Sequence, residues 1–247
     1  MKTYGLIGYP LSHSFSQKYF TDKFSIEKIE ARYLNFPIES ISELPGLLKQ
    51  HPYLAGLNVT IPYKQQIIPF LNELDAEASE IGAVNVVKIT WVNGRPNLKG
   101  YNSDVKGFTG SLQPLLKPFH NKALILGTGG ASRAVAHGLL KMGILYRLVS
   151  RNPQGPAHVG YNDLSLEIIS EYKLIINTSP VGMYPNVDQC PAIPYEALSS
   201  QHVVFDLVYN PEQTLLMQKA ATRGAIVKNG LEMLHLQAEE AWRIWNS

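Results

Sequence analysis

The sequence predicts an α/β protein of two blocks, each built on a sheet of mostly parallel strands. Three observations carry this. Short apolar runs of strand length alternate with helix-length segments along nearly all of the 247 residues. One hairpin signal, Asn93-Gly94, interrupts the alternation in the first hundred residues. Past Asp104 a short apolar run, a glycine turn and a helix follow one another without spacers over Ala123–His137. A chain of this length is long for one core and suits two modest domains.

The elements follow in order. Thr3 to Gly8 reads as a strand cut by Tyr9-Pro10, and Ser14 to Phe24 as a helix. Ser14 with Gln17 fits a capping box there. A strand at Ala31 to Phe36, a helix at Ile41 to Lys49 and a strand at Gly56 to Thr60 come next. Pro62 stands where helices start, and that helix is expected to run to about Leu71. Ala83 to Thr90 reads as a strand with Asn85 inside it, where a polar side chain is out of place unless it bonds something. Val92-Asn93-Gly94-Arg95 then turns the chain, so Arg95 to Lys99 returns antiparallel and gives the sheet an antiparallel edge. In the second block, strands are expected at Ala123–Leu126, Ile144–Val149, Leu174–Asn177, Val203–Leu207 and Ala225–Val227. Helices at about 130–142, 163–171 and 211–223 separate them. Leu231 to Trp245 is a last helix that fits as a cap on either block.

The second block begins with a pattern that has a chemical reading. In Gly127-Thr128-Gly129-Gly130-Ala131-Ser132, Gly127 permits a tight turn and Gly129 lets the backbone approach a pyrophosphate at a helix N-terminus. This is the Rossmann-type, doubly wound dinucleotide fingerprint, with Ser132 where Gly or Ala is usual. A bare glycine turn between strand and helix is also common, and a methyltransferase can carry one. An NAD site or a methyltransferase site wants an acid after the second strand. Here the chain reads Ser150-Arg151-Asn152, which suits a 2′-phosphate and hence NADP. From Val105 to Asn162 there is no Asp or Glu, while Lys106, Lys117, Lys122, Arg133, Lys141, Arg147 and Arg151 lie in that stretch. Such a field attracts a polyanion. An ordinary solvated basic face accounts for most of the lysines but less well for Arg151.

The bulk properties exclude several classes. Net charge is only +2, which makes no case for nucleic acid. Cys190 is the sole cysteine, so no intrachain disulfide forms, and no Cys/His cluster has zinc spacing, so no metal is expected. The N-terminal stretch is broken by Gly and Pro too early for a signal peptide. No apolar run approaches the ~20 residues of a membrane span. A reducing, cytoplasmic setting is expected.

Polar clusters fall at strand ends and turns, where α/β folds bind ligands. They are Ser12-His13-Ser14-Phe15-Ser16, Asn58-Val-Thr60-Ile-Pro62-Tyr-Lys64, Gly82-Ala-Val-Asn85 and Asn177-Thr178-Ser179-Pro-Val-Gly182-Met183. Singly, each has a plain reading as a helix cap, a solvated lysine or an Asn turn. In order they resemble the shikimate dehydrogenase family from end to end. Ser14 and Ser16 match its Ser-x-Ser turn, and Asn58 to Lys64 its Asn-Val-Thr-x-Pro-x-Lys. Asn102-Ser-Asp104 resembles its Asn-Thr-Asp. Asp206-Leu207-Val-Tyr209-Asn-Pro211 with Thr214 resembles its Asp-x-x-Tyr-x-Pro-x-x-Thr. Asn229-Gly230-Leu-x-Met233-Leu with Gln237-Ala238 resembles its C-terminal helix.

The resemblance implies a substrate domain at 1–104, joined by the helix at 231–247, and a Rossmann-type NADP-binding domain at 105–230. It implies reversible, NADPH-dependent reduction of 3-dehydroshikimate to shikimate, in a monomer or homodimer. Lys64 and Asp104 would be the catalytic pair. Ser14, Ser16, Asn58, Thr60, Lys64, Asn85, Asp104, Tyr209 and Gln237 would hold the substrate. Gly127, Thr128, Gly129, Gly130, Ala131, Ser150, Arg151, Asn152, Thr178, Ser179, Met183, Leu207 and Gly230 would hold NADP. A polyhydroxy acid needs many hydroxyl and amide partners, and these residue types supply them. The runner-up activities are a quinate/shikimate dehydrogenase using NAD and a non-catalytic ligand-binding relative. The chain departs from the family pattern at Val105-Lys106, which stand between Asp104 and Gly107, and at Ser150-Arg151-Asn152, where Asn-Arg-Thr is frequent.

Overall fold

The computed structural model describes residues 1–11 and 14–247, so Ser12 and His13 of the first polar cluster lie outside the described residues. The chain forms two compact units, Met1–Ser103 with Ala238–Ser247, and Asp104–Gln237.

The first unit carries β1 (Lys2–Ile7), α1 (Phe15–Ile26), β2 (Ala31–Phe36), α2 (Leu44–Gln50), β3 (Leu54–Val59), α3 (Tyr63–Gln66), β4 (Glu73–Leu74), α4 (Ala76–Ile81), β5 (Val86–Val92) and β6 (Arg95–Tyr101). The sheet order is β2-β1-β3-β5-β6-β4. β1 runs parallel to β2 and β3, β5 runs antiparallel to β3 and β6, and β4 is parallel to β6. Among the described strands only β5 is reversed, and it lies inside the sheet. The expected antiparallel edge is therefore corrected. The hairpin forms as expected, with Asn93 and Gly94 both at positive φ (50° and 74°). The chain from Asn72 to Asp75 then adds beyond β6, with Asn72 and Leu98 bonded in both directions at 2.8 and 2.9 Å.

Two further expectations need correction. The helix entered at Pro62 ends at Gln66, and a 3₁₀ turn at Ile68–Phe70 follows it. Pro69 has no N–H for the carbonyl four residues back, so an α-helix cannot continue through it. Asn85 precedes β5 rather than sitting inside it. Gly82, at φ 66°, ends α4 in the left-handed conformation, and Ala83-Val84 lead into the strand.

The two faces of this sheet belong to two cores, and a register shift between β1 and β3 puts Leu54 and Leu57, three residues apart, on the same face. Leu54, Leu57 and Val59 pack with α2 and Tyr63 on one face. Tyr4, Leu6 and Tyr33 pack on the other with Phe20 and Phe24 of α1 and with Ala238, Ala241 and Trp245. Gly56 is required here, since a Cβ would come within 2.3 Å of the Trp245 indole.

The second unit carries α5 (Asp104–Leu112), β7 (Lys122–Leu126), α6 (Gly130–Lys141), β8 (Leu145–Ser150), β9 (His158–Gly160), α7 (Leu166–Glu171), β10 (Leu174–Asn177), β11 (Val203–Asp206), α8 (Leu215–Ala221), β12 (Ile226–Asn229) and α9 (Leu231–Asn246) as far as Gln237. All ladders are parallel in the order β12-β11-β10-β7-β8-β9, the doubly wound arrangement. Leu124, Ile175 and Val204 face α7 and α8, while Ile125, Ile176 and Phe205 face α6 and Phe108 of α5. The sequence reading passed over α4, β4, α5 and β9. Gly107 and Gly110 count against a helix in local propensity, which hides α5. Gly107 is needed because a Cβ would lie 2.6 Å from the Met233 carbonyl of α9. Val105 is buried in the first turn of α5, so that position accepts a side chain.

Candidate active site

In the first unit, polar side chains gather at the carboxyl ends of β1 and β3. Leu6 pairs with Asn35 on one side and Asn58 on the other, which sets Asn58 one step from the end of its strand. Asn58 is 5% exposed. Its Oδ1 accepts from the Tyr33 hydroxyl at 2.7 Å, and its Nδ2 donates to the Asn85 carbonyl at 3.4 Å. Asn85 is held just as firmly: its Oδ1 accepts from the Ser103 N–H at 2.7 Å and its Nδ2 donates to the Ser103 hydroxyl at 3.0 Å. This is the bond that its position among apolar residues demanded. Thr60 donates its N–H to the Ile7 carbonyl and accepts from Tyr63, which anchors the entry into α3. Lys64, half-buried, accepts from the Val84 N–H at 2.7 Å, so its backbone is tied to the segment carrying Asn85. Ser14 caps α1, accepting from Gln17 at 3.1 Å. The structure thus brings Ser16, Asn58 and Asn85 into one network with Tyr33 and Ser103.

Asp104 and Gln237 belong to the second unit. Asp104 opens α5, and Gln237 of α9 packs where α5 carries Gly107. Both side chains are more than nine-tenths buried. Tyr209 lies past the end of β11 and is 37% exposed.

The proposed cofactor residues stand at or just past the carboxyl ends of strands in the second sheet. Leu126 of β7 aligns with Asn177 of β10, Asn177 with Asp206 of β11, and Asp206 with Asn229 of β12. The strand order reverses between β7 and β10, where such folds bind ligands. Gly127 has φ 112°, and a Cβ there would meet the Thr178 hydroxyl at 3.0 Å. Gly129 caps α6 without a side-chain partner for the helix N–H groups, and Cβ positions at Gly129 and Gly130 face open space. Ser132, in place of the third glycine, is buried and donates to the Gly129 carbonyl at 2.6 Å. Its hydroxyl is engaged within the turn itself. Gly230 lets β12 close on β11, since a Cβ would overlap the Leu207 carbonyl at 2.1 Å. Arg151 is exposed directly after β8, and Asn152 donates its N–H to the Ser150 hydroxyl at 3.1 Å. A bare helix N-terminus, an open glycine cradle and a cation after the second strand fit a dinucleotide bearing an additional phosphate. Met183 is exposed in the loop after β10.

Three residues that stand in the sequence motifs without a site role have structural work here. Asp206, Thr214 and Asn177 form a buried cluster: Oδ2 of Asp206 accepts from Thr214 at 2.6 Å, and Oδ1 accepts from Asn177 at 2.9 Å and the Val208 N–H at 3.0 Å. Burial raises the carboxyl above the ordinary aspartate range, and the three donors act in the opposite direction. The spacing Asp206 to Thr214 was visible as a motif, and an acid closing an apolar strand was the signal for a clamp. Among the described residues no group of three or more His, Cys, Asp or Glu is arranged for a metal. No helix there is long and apolar enough to cross a membrane.

Comparison with known proteins places the chain in a family. A family model for the shikimate dehydrogenase substrate binding domain matches residues 6–87. The NADP(+) shikimate dehydrogenase of Desulforamulus reducens is 36% identical, covering 98% of this chain and 88% of that protein. The crystal structure of shikimate dehydrogenase from Aquifex aeolicus superposes with a TM-score of 0.85 at 35% identity, covering 100% of this chain and 92% of that one. The Thermus thermophilus enzyme in complex with NADP(H) and shikimate superposes with a TM-score of 0.85 at 32% identity, covering 99% and 93%. At this identity over essentially the full length, with the strand-end amides in the first unit and the glycine cradle in the second, the chain belongs to the shikimate dehydrogenase family.

Proposed function

We propose that this protein catalyses the reversible NADPH-dependent reduction of 3-dehydroshikimate to shikimate, a step toward the aromatic amino acids. The observation that carries the reading is the full-length match to NADP(+) shikimate dehydrogenases, at 36% identity over 98% of the chain. NADPH, when bound, supplies a hydride to the ketone carbon. The protein must then stabilise and protonate the oxygen that gains charge. Lys64 donates that proton in reduction and recovers it in oxidation. Asp104 is the second member of the catalytic pair and anchors a substrate hydroxyl. Ser14, Ser16, Asn58, Thr60, Asn85, Tyr209 and Gln237 hold the remaining polar groups of the substrate.

On this reading residues 1–104 and 231–247 serve the substrate, and residues 105–230 serve NADP. Gly127 to Ala131 take the pyrophosphate, Ser150 to Asn152 the 2′-phosphate, and Thr178, Ser179, Met183, Leu207 and Gly230 the nicotinamide half. The enzyme would work in the cytoplasm as a monomer or homodimer. A spectrophotometric assay with shikimate and quinate, each with NADP and NAD, tests the reading. Turnover of shikimate with NADP exceeding the other three combinations is expected. Quinate oxidation with NAD as the dominant activity, or no turnover of either acid, overturns it.

A further inference from the structure

We infer that Tyr33 is a positioning residue for substrate, holding the Asn58 amide so that its N–H groups, and not its carbonyl, face the ligand. The inference rests on the function proposed above. Tyr33 lies on β2, is 4% exposed, and stacks on Phe20 of α1 with ring centroids 4.9 Å apart and planes at 13°. That stacking fixes the ring, and with it the hydroxyl. The phenol has one proton and donates it to Asn58 Oδ1 at 2.7 Å.

A primary amide has one acceptor side and one donor side. With the acceptor consumed by Tyr33, the Nδ2 side is turned away from the phenol. One of its N–H groups reaches the Asn85 carbonyl only at 3.4 Å, a weak bond that leaves donor capacity for a ligand oxygen. The Ser16 hydroxyl stabilises the ionised form of the same phenol, against the strong upward push of burial. The phenol proton goes to Asn58, so it is the Asn58 amide that Tyr33 orients. Had the amide been free to rotate, a hydroxyl-bearing ligand would meet donor and acceptor alternately. Fixed, it selects a ligand atom that accepts.

Tyr33→Phe removes the brace and little else. KM for shikimate is expected to rise about tenfold, the worth of one buried hydrogen bond. The KM for NADP should not move, and kcat should stay within about threefold because Tyr33 touches no reacting atom. Asn58→Ala should raise KM further, and Tyr33→Phe added to Asn58→Ala should cost no more than Asn58→Ala alone. Asn58→Asp keeps an acceptor for the phenol and deletes both amide donors at nearly the same size, so its KM should match that of Asn58→Ala. This variant decides the question even if Tyr33→Phe folds poorly. Unchanged KM in Tyr33→Phe, losses that multiply in the double variant, or parent-like KM in Asn58→Asp each overturn the inference while shikimate turnover by the parent stands. A parent that turns over neither acid removes the functional reading, and this inference with it.

Discussion

Lys64 is the second residue of a four-residue helix, and its carbonyl bonds the Val84 N–H at 2.7 Å. So short a helix contributes little macrodipole. The lysine is placed instead by the end of β3 and by that backbone bond, which survives truncation of the side chain. Lys64→Ala is therefore expected to lower kcat by roughly 10²–10⁴-fold with little change in KM, the usual contribution of a positioned acid/base. Lys64→Ala combined with Asp104→Ala should be little worse than the poorer single variant if the two act as a unit. Steady-state kinetics of the three variants check this, and a Lys64→Ala enzyme within a few-fold of the parent would remove the lysine from the mechanism. Arg151 makes a second residue-scale prediction. It is exposed, and the chain around it carries no acid until Asp163. Losing a charge-assisted contact to the 2′-phosphate should cost NADP about 1.5–3 kcal/mol in Arg151→Ala and leave NAD nearly unaffected. Paired binding titrations with the two cofactors measure the difference, and an unchanged preference would place the 2′-phosphate elsewhere.

The clamp at the end of β11 governs how β10, β11 and the start of α8 are held together. Thr214 is the N-cap of α8, so the bond to Asp206 links a strand end to a helix start. Asp206→Ala strands three buried donors and should cost about 2–4 kcal/mol of stability, seen as a lower denaturant midpoint. Asp206→Asn keeps an acceptor for Asn177 and Val208, and Thr214 can reverse its hydroxyl, so its cost should be much smaller. Equal losses for the two variants would mean that the charge, and not the bond count, holds the clamp. At the opposite end of β11, His202 is fully buried, with Nδ1 toward the Ser199 N–H and Nε2 toward the Ile169 carbonyl. The Nδ1 contact, which accepts a backbone N–H, requires the neutral ring, while Nε2–H donates to the carbonyl in either state. Burial lowers its pKa below the ordinary imidazole value, and nearby Lys173 and His120 act in the same direction. The unfolded chain therefore takes up this proton first. The stabilising contribution is full above the unfolded value and is lost as pH falls toward the folded one. Melting temperature should drop from about pH 7 to about pH 5, and His202→Asn should flatten that slope. A slope unchanged in the variant would assign the acid sensitivity to other groups.

At the scale of the molecule, two sheets with helices on both faces carry two kinds of ligand chemistry. The first unit offers neutral amides and hydroxyls beside one lysine, and the second a glycine cradle in an acid-free stretch from Val105 to Asn162. A one-signed field acts over a Debye length of about 10 Å at 0.1 M salt. NADP affinity should therefore fall with added salt more steeply than NAD affinity, since NADP carries the extra phosphate. Titrations across a salt series check this, and parallel slopes for the two cofactors would reduce the basic stretch to an ordinary solvated face.

The strands and the glycine turn were legible in the sequence because local rules set them. Leu174–Asn177 and Ala31–Phe36 are apolar or alternating runs bounded by breakers, and Gly127 stands where only a positive φ closes the turn. Asn93-Gly94 announced its hairpin for the same reason. What stayed hidden depends on partners distant in sequence. The helix at α5 contains Gly107 and Gly110 because α9 packs against it, and local propensity counts those glycines against a helix. β5 lies inside its sheet because it pairs with both β3 and β6, and the Asn72–Asp75 segment adding beyond β6 takes the edge position from β6. Asn58 was readable as a polar strand end, but the orientation of its amide belongs to Tyr33, 25 residues away, an aromatic that the sequence shows only as one more buried strand residue. Propensity and periodicity are properties of neighbours along the chain, so the sequence by itself determined the elements and the turn. The direction of a hydrogen bond between strands exists only once the sheet has formed, so the tertiary structure alone decided how the site presents its donors.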